Sequence, residues 1–148
     1  MGIAPTYDVN FDSNGGTEIE TQSIISQGKV TEPTPPTKDG YTFGGWFTDD
    51  DTFQEEWTFA SDTVSEAFTL HAKWTENEYT ITYNLDGGDN NVGNPATFGI
   101  TDLDITLLDA TKDSYTFNGW YTEDTYENLV TSITTIGNVV LYAKFTAN

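Results

Sequence analysis

Twenty-four carboxylates and a single imidazole are what this 148-residue chain offers for chemistry. Hard cations want several oxygens at roughly 2.3–2.6 Å. The densest supply is Asp49, Asp50 and Asp51, with Glu55 and Glu56 close behind; Asp86, Asp89, Asn90 and Asn91 come second. Neither run has the alternating ligands, central glycine and terminal glutamate of an EF-hand. Calcium at Asp49–Asp51 therefore stays an option beside the plainer expectation of a solvated acidic face. Glycoside hydrolysis needs two carboxylates at a set separation, and in so acidic a chain the spacing singles out no pair. The one histidine, His71, falls beside Thr69 and Lys73 on the polar face of an alternating run, without a neighbouring nucleophile or further ligands. It reads as an exposed strand residue. No nucleophile elbow, phosphate loop or dinucleotide fingerprint occurs, and the chain reads as a non-enzyme with no resident cofactor.

Aromatic rings are the other resource: four Trp, eight Tyr and nine Phe. Trp46 and Trp120 are suited either to stacking on sugars or to anchoring a core. A small module without disulfides favours the core. Phe47, Phe53, Tyr121 and Tyr126 lie outside the core alternation and are the residues through which a glycan or a host protein would be recognised, given that exposed apolar patches mark contact sites. Four of the five lysines, Lys38, Lys73, Lys112 and Lys144, recur at matching places. An isopeptide bond would need a buried lysine. Lys73 is expected on the solvent face in a local ion pair with acids.

The elements that must position these groups are written twice. Lys38–Asp49 (KDGYTFGGWFTD) returns as Lys112–Glu123 (KDSYTFNGWYTE), and the shared signature is Tyr41, Phe43, Gly45 and Trp46 against Tyr115, Phe117, Gly119 and Trp120. Tyr7–Phe11 leading to Gly15 and Gly16 matches Tyr79–Tyr83 leading to Gly87 and Gly88, and Phe68–Trp74 matches Val139–Phe145. Three blocks in one order mean two tandem modules, residues 1–76 and 77–148. Each opens on a strand of period two, closes it with a glycine turn, and continues into a second strand near Glu18–Ile25 or Pro95–Ile100. Pro33, Pro35 and Pro36 make an extended connector in the first copy only. Gly44–Gly45 and Asn118–Gly119 interrupt a strand and predict a bulge that re-aims Trp46 and Trp120. Asp51–Trp57 and Asp124–Leu129 are each assigned a short helical turn. Phe68, Leu70, Ala72 and Trp74 form the inward face of the last strand, as do Val139, Leu141, Ala143 and Phe145. The fold class is α+β and strand-dominated. Only Thr75–Glu78 separates the copies, which predicts coupled rather than freely jointed modules.

Composition sets the company the chain can keep. Five lysines and no arginine leave a formal charge of −19, which argues against nucleic acid and anionic membrane partners, since both are bound through basic clusters. No stretch approaches the ~20 apolar residues of a membrane span. No charged-and-apolar leader follows Met1 and Gly2, and a chain that opens directly on a repeat reads as part of something longer.

The strand, glycine turn, proline connector, GYTFGGWF block and Leu70–Trp74 (LHAKW) together resemble the internalin B-repeat family, also called the Listeria–Bacteroides repeat. The resemblance covers nearly the whole chain as two copies. It implies a β-grasp, ubiquitin-like fold for each module with short helical elements. It also implies an extracellular setting in long bacterial surface or secreted proteins, often adhesins, with neighbouring repeats of the parent protein as the nearest partners. The family brings no catalytic residues. The second copy departs from it at Ser114, Asn118 and Phe145 and lacks the prolines. The resulting expectation is a stalk or spacer that presents or contributes to adhesive contact. The other reading is a glycan- or host-protein-binding module, calcium-assisted or not.

Overall fold

The computed structural model describes residues 2–148. The chain divides into two compact units, with Glu76 ending the first and Asn77 opening the second.

In the first unit Val9 points inward while its polar neighbours point out. The alternation yields β1 (Thr6–Asp12), which turns through Asn14 and Gly15, both at positive φ, towards β2 (Gln22–Ile25). The extended connector through the prolines leads to β3 (Tyr41–Phe47), and a second long connection to β4 (Phe68–Glu76). The sheet order is β2-β1-β4-β3: β1 and β4 run parallel in the middle, with an antiparallel partner on each side. The pairing of β3 with β4 slips between Phe43 and Trp46, at Gly45 with φ +109°. This is the bulge that the paired glycines predict. It swings Trp46 into the core, 2% exposed, where Phe11 and Phe43 meet it edge-on at 5.0 and 5.4 Å. Val9, Val30, Val64, Leu70 and Ala72 complete that core.

The second unit repeats the plan with β5 (Tyr79–Asn84), β6 (Thr97–Phe98), β8 (Tyr115–Tyr121), β9 (Leu129–Val130) and β11 (Val139–Ala147) in the order β6-β5-β11-β8-β9. Its central pair, β5 and β11, is again parallel. The stretch that replaces the prolines forms β7 (Ile105–Thr106), which pairs with β10 (Ser132–Ile133) as a separate small ribbon. Gly119 at φ +116° makes the matching bulge, and Trp120 is again 2% exposed, against Tyr83 and Phe117.

The expectation of helical elements is corrected. Among the described residues the one helical segment is a 3-10 turn at Ile100–Asp102. Asp51–Trp57 and Asp124–Leu129 are not helical: each segment folds back along the signature strand. Trp57 N–H donates to the Trp46 carbonyl at 2.9 Å, and Tyr121 pairs with Leu129. The reason is local. Asp49 accepts the backbone N–H groups of Gln54 and Glu55, and Glu123 those of Glu127 and Asn128, so donors a helix would use are spent on a side chain. Phe53 and Tyr126, at φ +48° and +57°, reverse the chain inside these loops. No helix among the described residues is long and apolar enough to cross a membrane.

Candidate functional site

The residues the two copies share converge on their own turns. Lys38 Nζ donates to the Asn14 carbonyl at 3.0 Å and lies 4.3 Å from the Tyr41 ring centre. Lys112 does the same with the Asp86 carbonyl at 2.7 Å and the Tyr115 ring at 4.2 Å. The cation thus clamps the glycine turn of the first strand to the start of the signature strand, stabilised by the carbonyl and the ring face. Gly16 and Gly88 sit so close beneath Trp74 and Phe145 that a methyl group would stand 2.5 Å from Trp74 Cζ2 and 2.7 Å from Phe145 Cζ. This clamp is a role that sequence reasoning missed, although the recurrence of both lysines was its visible signal.

Lys73 and Lys144 also differ from expectation. Lys73 Nζ lies 5.8 Å from the Phe47 ring, and Lys144 Nζ 5.8 and 5.7 Å from the rings of Tyr121 and Tyr126. An aromatic face takes the place assigned to an acid. The same corners hold the four aromatic residues nominated for recognition. Phe47 packs edge-on against Phe53 at 5.6 Å and 87°, and Tyr121 against Tyr126 at 5.4 Å and 80°. Phe47 is buried and the other three are half-buried, so each module carries one lysine-capped aromatic pair at the end of its signature strand.

The acidic loop beside that corner is occupied with its own backbone. Asp49 accepts the Thr52 hydroxyl at 2.5 Å as well as the Gln54 and Glu55 amides, and these bonds, that of Thr52 foremost, lower its pKa to about 2. Glu123, led by the Thr122 hydroxyl and then Asn128, is lowered to the same level. Asp51 accepts the Thr52 amide. Asp50 points elsewhere, towards Asn14 and His71. In the second unit Asn94, buried, accepts the Leu108 amide and donates to Asn90 and the Leu108 carbonyl, while Asn91 accepts the Gly93 amide. The side chains of Asn90, Asn91 and Asn94 therefore staple this loop to itself and to the 108–109 segment.

His71 is the other departure. Its ring is on the polar face, as the alternation requires, yet its side chain is only 20% exposed, with Nδ1 3.1 Å from Asp12 Oδ2 and 3.6 Å from Asp50 Oδ1. The parallel pairing of β1 with β4 places Asp12 directly opposite His71, a long-range register that the separate strands do not announce. His71 also lines a groove of about 490 Å³, together with Trp57, Phe68, Glu66, Thr48, Thr63, Ser65 and Thr69. Trp57 and Phe68 stand 4.9 Å apart in it.

Comparison with known proteins fits the doubled architecture. The model of the Listeria–Bacteroides repeat domain matches residues 7–73 and again 79–144. Internalin H of Listeria monocytogenes is 37% identical over 99% of this chain, which spans 26% of that protein. Two proteins of Evansella cellulosilytica are 35% and 34% identical, each over 96% of the chain; one is named as a membrane protein, the other as a Gly-rich membrane protein. The chain spans 21% and 16% of their lengths. The chain belongs to the Listeria–Bacteroides repeat family, as two tandem copies of its repeat.

Proposed function

We propose that the chain is a non-catalytic repeat segment of a bacterial cell-surface protein. It acts there as a stalk or spacer that presents adhesive or protein-contact sites carried elsewhere on the parent protein. The observation that carries this reading is what the copies hold in common. Lys38 and Lys112, Gly16 and Gly88, and Trp46 and Trp120 all build cores and turns. The name of internalin H and the membrane-protein names of the other relatives support an extracellular setting at the cell surface. The strong negative charge argues against nucleic acid and anionic membrane as company, and limits self-association. We read each sheet as a β-grasp sheet that has lost its helix; the central parallel pair with an antiparallel strand on either side supports this.

A second reading, glycan recognition, is favoured by the groove of the first unit. There Trp57 and Phe68, packed on each other, share the lining with three threonines and a serine, the mixture of apolar and polar groups typical of small-ligand sites. Calcium at Asp49–Asp51 would belong to that reading.

The chain displayed on a bacterial surface between an epitope and a wall anchor, in increasing copy number, tests the proposal. Epitope accessibility should rise with copy number, while host-cell and glycan-array binding stays at the level of the anchor alone. Binding conferred by a single copy would overturn the spacer role in favour of recognition.

A further inference from the structure

The first unit carries a feature the second does not. Asp12 Oδ2, Asp50 Oδ1 and His71 Nδ1 come from the end of β1, the loop after β3 and the middle of β4, and the three atoms lie within 4.8 Å of one another. They are two carboxylates and the chain's one imidazole. Both carboxylates are held by Asn14. Its backbone amide donates to Asp12 Oδ1 at 3.0 Å, leaving Oδ2 turned to the histidine, and its side-chain amide donates to Asp50 Oδ1 at 3.1 Å. The Asn14 side chain is anchored in turn on the Ala72 carbonyl at 2.8 Å.

The fold does not require this group. At the matching positions of the second unit Asn84 replaces Asp12 and Tyr142 replaces His71, paired in the same register, and the sheet is built the same way. The ligand chemistry is an addition to one copy.

From this we infer that Asp12, Asp50 and His71 form a binding site for a divalent transition ion of the zinc type. Ligands bonded at roughly 2.0–2.2 Å to a tetrahedral ion stand about 3.3–3.6 Å apart. The distances of 3.1 and 3.6 Å from His71 Nδ1 to the two carboxylates bracket that spacing. An imidazole nitrogen with two carboxylate oxygens suits zinc, whereas calcium and magnesium prefer all-oxygen shells. Three protein ligands leave a fourth position to water. Asn14 is the outer group that orients two of the ligands, as such groups do in known metal sites. The surrounding excess of acids raises the local cation concentration.

The test titrates zinc chloride into the full chain by calorimetry, with calcium chloride in a parallel arm, while proton–nitrogen NMR follows the ring of His71. The expected result is saturable uptake of one zinc ion per chain, with the Nδ1 resonance moving in step and calcium leaving it unchanged. The saturable phase should be lost in His71→Tyr and in Asp12→Asn. Both variants install residues that the second copy uses at these positions, and circular dichroism checks that each remains folded. The NMR reading on the unaltered chain stands even if a variant does not fold. No saturable zinc uptake, zinc uptake without movement of His71, or a response to calcium alone would each overturn the inference.

Discussion

Asp49 and Glu123 do at matched places what neither strand alternation nor composition reveals. Each carboxylate gathers the backbone donors of the loop that follows it and a threonine hydroxyl: Thr52 for Asp49, Thr122 for Glu123. Hydrogen bonds to the ionised form favour it, and both groups are lowered to about 2 from ordinary values of 3.8 and 4.5. A carboxylate with a depressed folded-state pKa stabilises the fold above its unfolded value and loses that contribution as pH falls towards the folded one. Urea denaturation between about pH 5 and about pH 2 should therefore show stability falling with acid through these loops. The paired variant Asp49→Asn with Glu123→Gln should have a shallower slope over that range; slopes identical to those of the intact chain would show that the loops do not depend on ionised carboxylates. Among single residues, Trp46 and Trp120 were legible as core anchors because the glycine before each announced the bulge. His71 was legible only as to its face. Its partners Asp12 and Asp50 lie 59 positions and 21 positions away (71 − 12 and 71 − 50); Asp12 meets it through the parallel register of β1 with β4, and Asp50 from the loop after β3, which pairs antiparallel with β4.

At the scale of elements, the inward faces of β4 and β11 follow the alternation residue by residue: Leu70, Ala72, Leu141 and Ala143 are all at most 1% exposed. Period-two patterning is strong when one face is buried, because a slip of one residue would turn every apolar side chain outward. The two loops assigned helical turns failed for the opposite reason. They are short, and a helix of one or two turns has little stability of its own, so a carboxylate competing for the amides decides the backbone. The glycine turns are the element where sequence and packing agree most closely. Gly16 is closed over by Trp74 Cζ2 and by the carbonyls of Thr37 and Ser13, all within 3.2 Å of where a Cβ would stand, whereas nothing lies within 4 Å at Gly2. Gly16→Ala should cost about 1–3 kcal/mol by overpacking, read by chemical denaturation, and Gly2→Ala should leave stability unchanged. Equal stabilities for the two variants would mean that the ring does not close over the turn.

At the scale of the whole molecule, the repeat announced two modules, and the chain folds as two compact units, each with its own aromatic core. What the sequence left unread is the extra ribbon of β7 and β10 in the second unit. Strands of two residues carry too few positions for any period to show. The proposed spacer role requires separate, self-sufficient modules, each holding under tension. Force spectroscopy on the intact chain measures this directly. Two unfolding events are predicted, each releasing roughly 70 residues, or about 240 Å of extended chain. A single event releasing the whole chain at once would contradict it.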